Sequence, residues 1–257
     1  SVGTQLGLKS IIRNKDLILA GEAHFHTSTK YLTELIRMFA HIKGKSACIA
    51  FEFSKRNYQF NEMLQNITRN IVLIKAELQS DNLDENTRAY YSQSLKIFTQ
   101  IQDYYLPLNT TAVSEGLKTF TVDHKNHDFE NQASYSDRNK AMAINLEELI
   151  VTKKCSSVLY FVGKAHLSTS LGTTDKIQDY LPPKVLERSL TLNIQMTRES
   201  SLPLAGRTWA GCKPLAPAKP IIFRSEIIED SISVMPLLNE AMPRMVDYDF
   251  TYLLPNE

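Results

Sequence analysis

Leu17-Ile18-Leu19-Ala20-Gly21-Glu22-Ala23-His24 reads as a buried strand that runs straight into polar chemistry. Four apolar residues closed by glycine suit a strand covered on both faces. Next comes Tyr31–Ile42, where Leu32, Leu35, Ile36, Phe39 and Ile42 share one helical face. Thr27 or Ser28 is placed to cap its start and Gly44 to end it. A second apolar run follows, Ala47-Cys48-Ile49-Ala50-Phe51-Glu52-Phe53. Strand, helix and second buried strand open a βαβ unit, which implies an α/β fold with a mainly parallel central sheet flanked by helices.

From Asn57 to about Tyr105 the chain turns polar and its period helical. Phe60, Leu64, Ile67, Ile71 and Ile74 form one stripe, and Tyr91, Leu95, Phe98, Ile101 and Tyr105 another. A polar joint at Gln79-Ser80-Asp81-Asn82 divides them, so a helical hairpin is expected as an insertion at about 57–115 within a single α/β domain spanning 1–257. It acts either as a lid or as an ordinary pair of covering helices. The α/β pattern then resumes with a strand at Leu117–Val122, a helix at Asp137–Ile150 and a strand at Val158–Val162. Pro203–Pro220 reads as loop, and Ile221–Phe223 and Phe250–Leu254 as late strands.

Composition narrows the function. With 29 Lys and Arg against 28 Asp and Glu, the net charge of +1 argues against a dedicated nucleic-acid binder. No apolar run reaches the roughly 20 residues of a membrane span. Cys48, Cys155 and Cys212 are odd in number and widely spaced, so no disulfide framework is expected. Cys48 and Cys155 read as small core hydrophobes, which suits a reducing compartment. Ser1 opens the chain with no charged or apolar leader, as in a processed or trimmed chain, so a secreted bacterial protein and a cytoplasmic one both stay open. Asn66-Ile67-Thr68 and Asn109-Thr110-Thr111 match the glycosylation pattern.

The chemistry-bearing residues cluster by position. The first strand leads into Glu22 and His24, the second carries Glu52, the third ends at Asp123-His124, and the fourth is followed by Gly163-Lys164-Ala165-His166. Carboxyl ends of strands are where open α/β sheets place their ligands. Glu52 is the one polar residue in an apolar run, and a buried carboxylate is costly unless paired, metal-bound or protonated. The plainer reading is a strand-end glutamate turned to solvent. Arg138 shares a helical stripe with Met142, Leu146 and Leu149, so it points inward. In a first helical turn it also opposes the dipole. Its partner is therefore an anionic substrate group or a buried carboxylate, Glu52 or Glu22.

Glu22, His24, Glu52 and His166 make an acid–base set, with Arg138 stabilising an oxyanion or holding Glu52 ionised. Glu22, His24 and His166 equally suit a mixed N/O site for zinc, manganese or iron. His26 joins them if the chain stays extended. Asp123 ends a strand and is intermediate; His124 and His127 read as polar loop residues and His41 as a helix-end residue. P-loop, dinucleotide, HExxH, GxSxG and CxxC patterns are all absent.

These motifs resemble one superfamily. Gly21-Glu22-Ala23-His24 looks like its GExH motif, and Phe51-Glu52-Phe53 like its second strand with an acidic residue. Arg138-Asn139-Lys140-Ala141-Met142-Ala143 resembles its RNxxMA helix, and Gly163-Lys164-Ala165-His166-Leu167 its GxxHL motif. The superfamily joins erythromycin esterases, haem-binding ChaN-like proteins, TIKI and TraB proteins and a domain of the Pasteurella mitogenic toxin. The likeness covers Leu17 to about Ser168 outside the insertion, and loosely Asp247–Leu253. It implies a hydrolase of ester or peptide bonds, metal-assisted or not, acting on a small molecule or peptide. Its other implications are a haem-binding protein and a secreted toxin or effector domain.

Overall fold

A computed structural model describes residues 2–55, 60–127, 133–152, 154–169, 174–196, 221–224 and 248–255. The apolar runs form β1 (Leu17–Glu22), β2 (Cys48–Ser54), β3 (Lys118–Asp123) and β4 (Val158–Gly163). They are followed by β5 (Ser189–Met196), β6 (Ile221–Arg224) and β7 (Phe250–Leu254). The sheet order is β3-β2-β4-β1-β5-β7-β6. Every neighbouring pair is parallel except β6 against β7. The α/β architecture with a mainly parallel sheet is therefore as the sequence indicates.

Strand β5 was not read from the sequence, although Leu190, Leu192 and Ile194 alternate with Thr191 and Asn193 and are buried. Period-two alternation was the available signal. Helix α1 (Val2–Arg13) is likewise additional, with Leu8 and Ile12 fully buried.

Strands β1, β2 and β4 send alternate side chains to two cores. Ile18, Ala20, Ile49 and Phe51 face α1, α2 (Thr29–Lys43), α3 (Phe60–Glu77) and α4 (Glu85–Ser114). Leu17, Leu19, Cys48 and Ala50 face α5 (Tyr135–Val151), a 3-10 turn at Ile177–Tyr180 and α6 (Pro183–Glu187). Local capping sets the helix starts: Asp84 accepts the Thr87 N–H at 3.0 Å, and Ser134 accepts that of Asp137 at 3.1 Å. Gly44 ends α2 with φ +76°, a conformation glycine adopts without penalty.

The expected helical hairpin is α3 and α4, joined through the polar turn after Leu78. Helix α4 runs past Tyr105 and through Pro107 to Ser114, because Leu108, Thr111 and Ala112 bury against the body. Both helices lie on the sheet as covering helices, and they also wall the cavity described below.

The cysteine reading needs correction. Cys48 and Cys155 form a disulfide, with Cα atoms 5.6 Å apart across 107 residues of sequence. Parallel pairing sets Cys48 opposite Val158 and so beside the turn that leads into β4. A separation that long is uninformative in sequence and is closed only by the sheet. Disulfides persist in oxidising compartments, so the reducing-compartment expectation loses its support. Reduction is expected to cost about 2–4 kcal/mol, because the bond closes a long loop in the unfolded chain. Urea denaturation with and without reductant measures this.

Of the two glycosylation matches, Asn109 is 2% exposed and its amide donates to Asn61 Oδ1 at 3.1 Å, so it is no acceptor. The loop expected at Pro203–Pro220 lies outside the described residues, as does Cys212. Among the described residues, no helix is long and apolar enough to cross a membrane.

Candidate acid–base site at the sheet edge

Glu22 ends β1, 1% exposed. Its Oε1 lies 2.5 Å from His24 Nδ1, and its Oε2 accepts from the Tyr104 hydroxyl at 2.5 Å. The other His24 nitrogen, Nε2, lies 2.8 Å from Glu52 Oε2. His24 is thus clamped between two carboxylates while 29% of its side chain stays exposed. Both contacts are hydrogen bonds only if both nitrogens carry protons. Burial opposes that charge, but Glu52 and Glu22 outweigh it and hold the His24 pKa well above its usual value.

Glu52 reaches this position through an irregularity in β2. Pairing with β3 runs in register to Phe51↔Thr121 and resumes at Ser54↔Asp123, so Glu52 and Phe53 lie in a bulge. Bulges re-aim side chains at strand ends. The β4 ladder stops at Phe51↔Phe161, and beyond it the Glu52 Oε2 accepts the Gly163 N–H at 2.6 Å. A Cβ added at Gly163 would meet His24 Nε2 at 3.0 Å and Glu52 Oε2 at 3.2 Å, so the glycine makes room for the clamp. Burial raises the Glu52 pKa, but His24 and His166 lower it further, leaving it well below the usual carboxylate range.

Arg138 is buried in the first turn of α5 and points inward, as its stripe predicts. Its Nη2 donates to Glu52 Oε1 at 2.5 Å and to Asp123 Oδ2 at 2.6 Å, and its Nε also donates to Asp123. The partners are Glu52 and Asp123, not Glu22. Burial disfavours the guanidinium charge, but Asp123 and Glu52 raise its pKa overall.

His166 is 2% exposed. Asn139 Nδ2 donates to the Asp175 carbonyl and carboxylate at 3.1 and 2.7 Å, which turns its Oδ1 toward His166 Nδ1 at 2.6 Å. His166 Nδ1 must therefore be the donor. Its Nε2 lies 3.1 Å from Glu52 Oε1, a hydrogen bond only with the ring doubly protonated.

The sheet edge therefore assembles Glu22, His24, Glu52, Arg138 and His166 into one network. It does not assemble the metal set Glu22, His24 and His166. Imidazole binds a metal through a bare nitrogen, and every ring nitrogen of these two histidines faces a carboxylate or Asn139. Among the described residues, no group of three or more His, Cys, Asp or Glu is arranged to hold a metal ion. For the same reason neither His24 nor His166 fits as an axial ligand to haem iron. His26 is not a further ligand. The chain turns at Ala23, whose carbonyl accepts from His26 and Thr27, and Phe25 has φ +65°, so His24 and His26 do not share a face.

Several site residues were missed in sequence. Tyr104 and Tyr105 come from α4, and the Tyr105 hydroxyl lies 3.2 Å from His24 Nδ1. Their adjacency at the end of an apolar stripe was the only signal. Asn139 stood inside the quoted RNxxMA stretch without an assigned role. Burial pushes the Lys164 amine down to about 8, with Glu22 opposing. His127 lines the cavity beside Arg138 instead of lying in solvent; burial, then Arg138, lowers its pKa. His124 remains a turn residue, accepting from the Asn126 N–H at 3.2 Å, and His41 lies exposed in the last turn of α2.

The site opens into a cavity of about 810 Å3, lined at one end by His24, Glu52, Asp123 and Arg138 and along its wall by α3 and α4. Cavities of this size accommodate small-molecule ligands.

Linkage gives the charge network a pH signature. The lowered Glu52 pKa contributes stability that is complete above 4.5 and lost as pH falls through its folded value. The raised His24 pKa contributes stability that is complete below 6.5 and lost as pH rises through its folded value. Both contributions are whole only between those limits. Urea midpoints across pH are expected to fall on either side, and the alkaline fall attributable to His24 should be absent from His24→Gln and so appear in the difference between wild type and variant.

No family model matches the chain, and comparison with the curated proteins finds no match either. Solved structures do match. The type III effector HopBA1 is 13% identical, with 97% of this chain and 92% of that one covered at a TM-score of 0.50. RRSP, a MARTX toxin effector domain from Vibrio vulnificus CMCP6, is 14% identical over 75% of this chain and 36% of that one, with a TM-score of 0.42. ChaN of Campylobacter jejuni, solved with cofacial haem, is 12% identical over 98% and 92%, with a TM-score of 0.39. At such identities a likeness speaks of architecture, and what this chain shares with HopBA1 is its fold.

Proposed function

We propose that the chain is a hydrolase of ester or peptide bonds, of the erythromycin esterase, ChaN and TIKI superfamily that its motifs resemble. One observation carries the reading: His24 is held between Glu22 and Glu52 at the polar end of a cavity, partly open to it. A strongly perturbed histidine in a cleft, paired with carboxylates, is the arrangement acid–base catalysis requires.

The resting ring is an imidazolium, so within the acid–base set His24 begins as the acid. Substrate displaces one carboxylate from the ring, and the N–H so freed gives its proton to the leaving oxygen or nitrogen as water adds to the carbonyl carbon. The ring, now neutral, takes a proton from the attacking water. The products are an acid and an alcohol or amine, one water is consumed, and the imidazolium is restored. Glu22 and Glu52 hold the ring in place and stabilise its charged form. Arg138 is committed to Glu52 and Asp123, so it keeps Glu52 ionised more than it serves an oxyanion.

The test is turnover of p-nitrophenyl esters and peptide p-nitroanilides by the purified protein and by His24→Gln. Hydrolysis lost in the variant supports the reading. Equal rates in a folded variant would remove His24 from the chemistry.

A further inference from the structure

The cavity is divided by chemistry. Its ionisable imidazole, carboxyl and guanidinium groups, those of His24, Glu52, Asp123, His127 and Arg138, all lie at the sheet edge. The α3 and α4 walls carry none. On α3, Met63 and Ile67 are one turn apart; on α4, Ile97, Ile101 and Tyr105 rise through two turns. Tyr105 touches His24, so the apolar wall starts at the reacting group. Eight residues from Tyr105 back to Ile97 span about 12 Å at the helical rise. Phe98 and the neutral amides Asn66, Asn70 and Gln100 complete the helical lining.

A charged peptide, a nucleotide or a polycarboxylate would set its charges against that uncharged wall. A single unbranched apolar chain ending in a polar carbonyl matches both ends at once. We infer that the substrate is an acyl ester or amide, its hydrocarbon chain lying along the α3 and α4 wall and its carbonyl at His24. The inference rests on the hydrolase reading and adds the substrate class to it.

The experiment compares p-nitrophenyl acetate, butyrate and octanoate. Each buried methylene favours binding by an amount worth about fourfold in kcat/KM, so even partial burial makes octanoate more than about tenfold better than acetate. Ile97→Trp fills the far end of the wall and is expected to lower the octanoate-to-acetate ratio about tenfold. Met63→Trp does the same from α3, should Ile97→Trp fail to fold. In parallel, cis-parinaric acid fluorescence reports chain binding without turnover. Turnover that is flat or falls with chain length overturns the acyl inference and leaves the hydrolase standing. Saturable cis-parinaric acid binding, weakened in the tryptophan variant but with neither p-nitrophenyl ester nor p-nitroanilide cleaved, supports the acyl cavity and removes the hydrolase. Neither turnover nor saturable binding overturns both.

Discussion

Replacing Arg138 by Met is expected to destabilise the protein by about 3–5 kcal/mol, the range for stranding a buried charge by removing its partner. The guanidinium makes hydrogen bonds to Glu52 and Asp123, whose side chains are only 8% and 1% exposed. Without it, two carboxylates share a site where the imidazolium of His24 is the remaining positive partner. One must protonate or drag water into the core, and either is costly. Arg138→Lys should recover only part of the loss, since a point charge cannot reproduce the planar fork that reaches both acids. Urea unfolding at neutral pH measures the difference. A loss under about 1 kcal/mol, typical of an exposed ion pair, would mean that the network is wetter than its burial indicates.

The second large effect is on turnover. His24→Gln is expected to lower kcat/KM by about 10²–10⁴, the usual contribution of a positioned acid–base group. Glutamine keeps some hydrogen bonding to Glu22 or Glu52 but cannot carry a proton through a cycle. Stability should suffer less than in Arg138→Met, because Arg138 still compensates Glu52. The pH profile adds a readout that a purely structural role would not move. Wild-type kcat/KM should fall at alkaline pH as the imidazolium deprotonates, at a pH well above that of an ordinary histidine, since the pKa is raised. In the variant, residual activity should lack that limb. A wild-type profile that instead rises through neutral pH to an alkaline plateau would assign His24 as a resting base and contradict the clamped geometry.

Local sequence determined a good deal. Apolar runs bounded by glycine and helical stripes bounded by caps identify β1–β4, α2, α5 and the α3–α4 pair, because local burial periodicity follows from which face of an element is covered. The convergence of Glu22, His24, Glu52 and His166 at strand ends was legible for the same reason: parallel strands bring their carboxyl ends to one edge. The inward aim of Arg138 followed from its stripe.

Tertiary structure decided the rest. The Arg138 partners became Glu52 and Asp123 through strand order and the β2 bulge, neither of which has a local signature. The disulfide across 107 residues required β2 and β4 to be neighbours. Tyr104 and Tyr105 reached the site because α4 folds back over the sheet. The choice between metal ligand and imidazolium could not be made from residue types, since a histidine and a glutamate suit either. It turned on which atom each ring nitrogen faces, and that is a matter of ångströms set by packing, Gly163 and the bulge, not of spacing along the chain.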